Sequence, residues 1–380
     1  MHLAPSFFRS MTVGTVLFAL GCGSDAAGSS HSTADAGTSS GGSGGSGGFG
    51  GGGSAGTSGS GGLAGADAGV GGSTDGGAGE GGNAGSGGEA GSGGADAGVQ
   101  PVADPALIGP SAVVAVNGSV PAPAVGTTVD ASCFVPDSGG PFPLVTIAPG
   151  FQLPASQYVG SAAHLASFGF VACVAAYNAS LFSPNHLNNA KEVLAVVDWA
   201  LAPTGPLAGK ADPLRVGAAG HSLGGRLSVL AASLDDRIGA VFAMDPVDAD
   251  DPDASSLSLP IPTGFLGELT DSQGGFQPCA PADRNFETFY TSATSPSFKV
   301  EVLGANHMSF LDDPGSCGLV CSFCKPASLD HDQVISLTRS YLAAFFLRHL
   351  GNEAGYDTYL TGAIAEQRYE QTGVAIIDAK

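Results

Sequence analysis

A serine flanked by glycines, Gly220-His221-Ser222-Leu223-Gly224-Gly225, lies between an apolar segment at Arg215–Ala219 and a helix-like stretch at Leu223–Leu234. Gly-x-Ser-x-Gly at a strand-to-helix turn is the pattern of a nucleophile elbow. So tight a turn forces Ser222 into a strained backbone conformation, and side chains at Gly220 or Gly224 would clash across it. The hydroxyl then stands clear of the sheet at a helix N-terminus, where the Leu223 N–H can meet a developing oxyanion. A second donor is expected after an earlier apolar strand, in Ala148-Pro149-Gly150-Phe151-Gln152, with the Phe151 N–H turned inward.

A hydroxyl is a weak nucleophile. It needs a base, and the base needs a carboxylate to orient it. His307, His331 and His349 follow Ser222 in the chain. His349 falls near the end of the last predicted helix, where a cation suits the helix dipole. His331 falls at that helix's start, on its surface. His307 follows the strand-like run at Phe298–Leu303 through Gly304-Ala305-Asn306, at a strand's carboxyl end, and is the expected base. Two strand ends compete to supply the acid. Asp245, flush with the run Ile238–Met244, is preferred; Glu268 and Asp271, after Thr263–Leu269, remain open. Asp248, Asp250, Asp251 and Asp253 read as a solvated acidic loop, and their spacing does not match an EF-hand calcium loop. The chemistry of Ser222, His307 and Asp245 would be acyl transfer, with no metal or cofactor required.

These residues must be held by alternating elements. Buried strands are predicted at Pro143–Ala148 and Phe170–Ala176, short apolar runs, and further strands at Arg215–Ala219, Ile238–Met244, Thr263–Leu269 and Phe298–Leu303. Helices are predicted at Ser156–Ser167, Leu187–Leu201, Leu223–Leu234 and Asp330–Leu350. Such alternation predicts a mostly parallel sheet with helices on both faces, its site at the carboxyl ends of the strands.

The front of the chain differs in kind. Arg9, the apolar run Met11–Leu20 and then Gly21-Cys22 read as an export signal over residues 1–22. Small residues before a cysteine resemble a bacterial lipobox, which implies lipidation at Cys22 and anchorage in the cell envelope, at the outer membrane or cell surface. The simpler variant is a secretory signal cut nearby. Residues 23–100 are Gly/Ser/Ala-rich and hold almost no large apolar groups, so they are expected to be a disordered tether. Residues 101–380 then form the catalytic domain. The chain has 13 Lys+Arg against 34 Asp+Glu, a formal charge of −21, which repels phosphate backbones and argues against nucleic-acid partners. Setting Cys22 aside leaves six of the seven cysteines, enough for three disulfides in an oxidising compartment, with the pairing open. Cys317, Cys321 and Cys324 could instead suggest zinc, but no histidine accompanies them at ligand spacing.

Residues from about 140 to 350 resemble the chlorophyllase branch of the α/β-hydrolases. The resemblance is carried by Gly220-His221-Ser222 with Gly224-Gly225, by Asp245-Pro246-Val247-Asp248 and by Gly267-Glu268-Leu269. It extends through Pro278-Cys279-Ala280-Pro281, Asn285, Phe289, His307-Met308, Leu311-Asp312-Asp313 and Cys324-Lys325. Bacterial polyester hydrolases and cutinases are similar around Ser222, and secreted acetylhydrolases are similar in placing the acid at Asp245. Leu223 departs from the pattern, since chlorophyllases usually have Arg there. The resemblance implies an α/β-hydrolase fold and an ester hydrolase acting on a small or polymeric ester, without fixing which; a monomer is expected. The rival expectation is a non-catalytic surface protein that binds a partner on the same scaffold.

Overall fold

The computed structural model describes residues 102–249, 251–274 and 278–380. The expected signal segment with Cys22, the expected tether at 23–100, and Asp250 lie outside the described residues.

Nine strands form one sheet: β1 (Val113–Ala122), β2 (Thr127–Pro136), β3 (Phe142–Ala148), β4 (Val171–Ala176), β5 (Ala211–His221), β6 (Ile238–Met244), β7 (Thr263–Gly267), β8 (Ser297–Val302) and β9 (Ala375–Ala379). Their order is β1-β2-β4-β3-β5-β6-β7-β8-β9. From β4 through β8 the neighbours are parallel, while β1, β2 and β9 run antiparallel at the two margins. With helices on both faces, this is an α/β-hydrolase fold.

Strand parity builds the two cores. Leu144, Val171, Val216, Val241 and Phe265 point to one face, under α2 (His186–Ala200), α3 (Leu223–Leu234) and α4 (Phe286–Ser292). Val145, Ile147, Val174, Phe242 and Leu266 point to the other, under α1 (Val159–Ser167) and α5 (His331–His349). Phe345 of α5 packs 5.4 Å from Phe242 and 5.9 Å from Phe298, ring centre to ring centre. Each fully buried Phe or Leu of this kind contributes about 1.5–3 kcal/mol of transfer free energy. The core strands therefore hold their registers firmly, and the loops at their carboxyl ends stand on a rigid base.

Several boundaries differ from the sequence expectation. The first helix begins at Val159, after a separate turn at Ala155–Gln157, because Tyr158 leaves helical geometry at φ −133°. β7 stops at Gly267, so Glu268 and Leu269 leave the sheet. Pairing with β3 carries β5 back to Ala211. Asp248 is no solvated residue: it is buried and meets the fully buried Arg226 at 2.7 Å, while Asp251 and Asp253 are exposed. The cysteines pair as Cys133–Cys173, Cys279–Cys324 and Cys317–Cys321, three disulfides as expected, which leaves the zinc alternative without free thiolates. Among the described residues, no helix is long and apolar enough to cross a membrane.

Candidate active site

Five of the parallel strands end at the site. β5 runs through His221, and Ser222 sits at φ 55° and ψ −123° before α3 begins at Leu223. L-residues rarely adopt that conformation. The turn closes because Gly220 and Gly224 lack side chains. A Cβ at Gly220 would lie 2.3 Å from the Gly224 backbone, and one at Gly224 would lie 1.9 Å from the Ala148 carbonyl oxygen. Backbone bonds lock the turn: the Ser222 N–H donates to the Met244 carbonyl at 3.0 Å, and the Val247 N–H to the Ser222 carbonyl at 3.3 Å.

His307 and Asp245 complete a line of hydrogen bonds. His307 Nε2 lies 2.9 Å from Ser222 Oγ, and His307 Nδ1 lies 2.6 Å from Asp245 Oδ2. An ionised carboxylate can only accept, so Nδ1 carries the proton and Nε2 faces the hydroxyl with its lone pair. Asp245 has no exposed surface. Burial raises its pKa, and the His307 contact and the Glu268 amide, which donates to Oδ1 at 3.3 Å, work against that rise.

The other two candidate acids are engaged elsewhere. Asp271 Oδ2 accepts the His307 backbone N–H at 3.0 Å, and its Oδ1 accepts the Lys325 N–H at 2.7 Å. Glu268 Oε2 accepts the Asp271 N–H at 2.8 Å. Burial first, then the nearby charges of Asp245 and Asp271, push the Glu268 carboxyl up to about 9. Such a group binds its proton more tightly folded than unfolded. Its contribution to stability is therefore present below the ordinary carboxyl pKa and is lost as pH rises towards about 9. Glu268→Gln is thus expected to lose less thermal stability than the wild type between pH 5 and pH 9, measured by melting at both values. An equal slope in the two proteins would place the buried proton elsewhere.

His331 and His349 stand at the two ends of α5, and His331 Nε2 meets the Leu311 carbonyl instead of a serine. The Phe151 and Leu223 amides lie at the ends of β3 and β5, and no backbone carbonyl among the described residues takes either N–H. Beside the Phe151 loop lies a cavity of about 380 Å³, lined by Gly150, Gln152, Leu153, Tyr177 and Asn178 among others.

Two further residues, Tyr158 and His221, fix the His307 backbone, and no sequence motif marks that role. The Gly150 N–H donates to Tyr158 Oη at 2.9 Å, and Tyr158 Oη lies 2.9 Å from His221 Nδ1. His221 Nε2 lies 2.8 Å from the His307 carbonyl oxygen. A carbonyl only accepts, so Nε2 carries the His221 proton and the tyrosine hydroxyl donates to Nδ1. Burial holds the His221 pKa well below its ordinary value and keeps the ring neutral. Both backbone groups of His307 are thus fixed by buried side chains, its N–H by Asp271 and its carbonyl by His221. His221 fills the variable place of the Gly-x-Ser-x-Gly motif, and Tyr158 follows the loop with no motif of its own.

A sequence model of the chlorophyllase family matches residues 113–365. The chain belongs to the chlorophyllase family. Chlorophyllase-1 of Arabidopsis thaliana is 26% identical over 244 residues, 57% of this chain and 75% of the relative. Bis(hydroxyethyl) terephthalate hydrolase of Streptomyces coelicolor is 30% identical over 174 residues, 45% of this chain and 52% of the relative. Chlorophyllase-2 of Arabidopsis thaliana is 26% identical over 204 residues, 47% of this chain and 63% of the relative. The matched part of this chlorophyllase-family chain contains Ser222, Asp245 and His307, and begins beyond the Gly-rich front.

Proposed function

We propose that this protein is a serine hydrolase that cleaves carboxylic esters through an acyl-enzyme. The observation that carries the reading is the hydrogen-bonded line from Asp245 through His307 to Ser222 on a strained elbow. His307 Nε2 takes the hydroxyl proton as Ser222 Oγ attacks the ester carbonyl, and Asp245 holds the tautomer and stabilises the imidazolium. The Phe151 and Leu223 amides stabilise the tetrahedral oxyanion. His307 then protonates the leaving alcohol, and a water deprotonated by His307 cleaves the acyl-enzyme.

A bulky, apolar ester is the substrate class we favour. The relatives' names, chlorophyllase and bis(hydroxyethyl) terephthalate hydrolase, point that way. So do the exposed Phe151, Leu181 and Phe182 on the loops that follow β3 and β4. The test is hydrolysis of p-nitrophenyl butyrate and of bis(hydroxyethyl) terephthalate by the purified chain, with fluorophosphonate labelling located by peptide mass. A non-catalytic binding protein on the same scaffold would show neither turnover nor a labelled Ser222.

Export completes the proposal. The signal-like residues 1–22 support secretion, and Cys22 supports a lipid anchor that holds a monomer at the cell envelope. Cys22→Ala is expected to move the protein from the membrane fraction to the soluble fraction on expression in a bacterium that processes lipoproteins. Continued membrane fractionation of the variant would remove the lipid anchor from the proposal.

A further inference from the structure

Adjacent strands deliver two carboxylates to one imidazole. β6 and β7 are parallel neighbours with Met244 paired to Leu266, so Asp245 and Glu268 leave the sheet side by side. A carboxylate oxygen of Asp245, one of Glu268 and a ring nitrogen of His307 all lie within 4.8 Å of one another. The two carboxylates differ in their partners. Asp245 is satisfied by His307 Nδ1 and by the Glu268 amide. Glu268 is equally devoid of exposed surface, yet its Oε2 accepts the Asp271 N–H while its Oε1 has no hydrogen-bond partner among the described residues.

An unpartnered carboxyl oxygen in a sealed interior costs stability, and an apolar side chain of similar size would avoid that cost. The bond from the Asp271 N–H gives a reason for one carboxyl oxygen here but none for the second. Position gives one, because the end of β7 is the second place on this sheet from which a carboxylate can reach the His307 ring. The groups that face Glu268 are Asp245 from the end of β6, Asp271 from its own loop and His307 from the loop after β8.

Resting on the serine-hydrolase reading above, we propose that Glu268 is a reserve positioning residue for His307, able to accept the Nδ1–H through its free oxygen when Asp245 is lost. A nitrogen–oxygen hydrogen bond needs about 2.7–3.2 Å, so a carboxylate already within 4.8 Å must move by roughly 2 Å or less. Truncating Asp245 vacates the space between them. It also removes one of the two negative charges facing Glu268, so Glu268 ionises more readily in that variant than in the wild type.

The experiment is a double-mutant cycle in the full chain: Asp245→Ala, Glu268→Gln and both together. It is read as kcat/KM on a soluble p-nitrophenyl ester, with Ser222→Ala as the control in each background. In a well-studied serine protease, spoiling the sole orienting carboxylate costs about 10⁴-fold in kcat. With Glu268 in reserve, Asp245→Ala is expected to lose only about a hundredfold, and adding Glu268→Gln to lose at least tenfold more. Glu268→Gln should cost much less with Asp245 present. A glutamate that serves packing alone would lower activity by the same factor in both backgrounds, and that equality overturns the proposal while leaving the Ser222–His307 reading intact. If Asp245→Ala is fully active and Glu268→Gln alone collapses, Glu268 is the primary acid, and both the reserve role and the assignment of Asp245 fall. If Asp245→Ala does not fold, Asp245→Gly, which suits the φ of 42° at this position and also vacates the space, carries the same comparison. Turnover that persists in Ser222→Ala would instead overturn the hydrolase reading itself.

Discussion

Ser222→Ala is expected to abolish ester hydrolysis and fluorophosphonate labelling while leaving the fold in place. In a well-studied serine protease, loss of the nucleophile costs about 10⁶-fold in kcat, and loss of the whole triad costs little more. Here a fall of roughly 10⁵–10⁶ is expected, with His307→Ala close to it and the double variant no worse. Non-additivity follows from the geometry. Ser222 Oγ, 2.9 Å from His307 Nε2, has no other side-chain partner among the described residues, and on the proposed mechanism His307 has no reacting group to serve without it. The elbow should survive, because backbone bonds from Ser222 to Met244 and from Val247 to Ser222 hold it. Alanine at φ 55° is no more strained than serine. Melting temperatures of the two proteins should therefore agree within a few degrees. Turnover above about one hundredth of wild type, a barrier change under about 3 kcal/mol, would show that another group attacks the ester.

Much of the scaffold was legible because its strands are short apolar runs with turn residues between them. Ile238–Met244 and Leu223–Leu234 match the sequence expectation residue for residue. β1, β2 and β9 were not anticipated, since they lie at the sheet margins, where one face meets solvent and the apolar signal halves. In β2 the alternation of Val129, Ala131, Cys133 and Val135 was present, with period two instead of a continuous run. For the site, motif order singled out Ser222 and His307, and the structure brings them together at hydrogen-bonding distance. The choice among Asp245, Glu268 and Asp271 depends on which side chain turns towards Nδ1. Residue type and spacing do not encode that, because all three carboxylates are buried within one turn of a strand end. Tyr158 and His221 were illegible for a similar reason: each acts through a single long-range hydrogen bond, and no local pattern marks such a bond.

Removing the Cys279–Cys324 disulfide is expected to weaken both the fold and the base, whereas removing Cys133–Cys173 should weaken only the fold. The two bridges close loops of similar size, with sequence separations of 45 and 40, so chain entropy assigns each about 4 kcal/mol. At about 2–4 °C per kcal/mol for a domain of this class, either double serine variant should melt roughly 8–15 °C lower. Their surroundings differ. Cys133 and Cys173 face each other across β2 and β4, in a sheet already held by backbone bonds and remote from the His307 loop. Cys279 and Cys324 instead clip two irregular segments that meet at Asp271. The Ala280 N–H donates to the Asp271 carbonyl at 3.4 Å, and the Lys325 N–H donates to Asp271 Oδ1 at 2.7 Å. Asn306 Nδ2, next to the base, donates to the Lys325 carbonyl at 2.6 Å. Without the bridge these segments lose their shared anchor, and Asp271 loses the partner that aims its other oxygen at the His307 N–H. A misplaced base slows proton transfer more than it weakens ground-state binding, so kcat per folded molecule should fall about tenfold with KM little changed. Cys133→Ser with Cys173→Ser should retain wild-type kcat well below its own melting temperature. Equal loss of kcat in the two variants would mean that global loosening, and not the Asp271 clamp, governs the base.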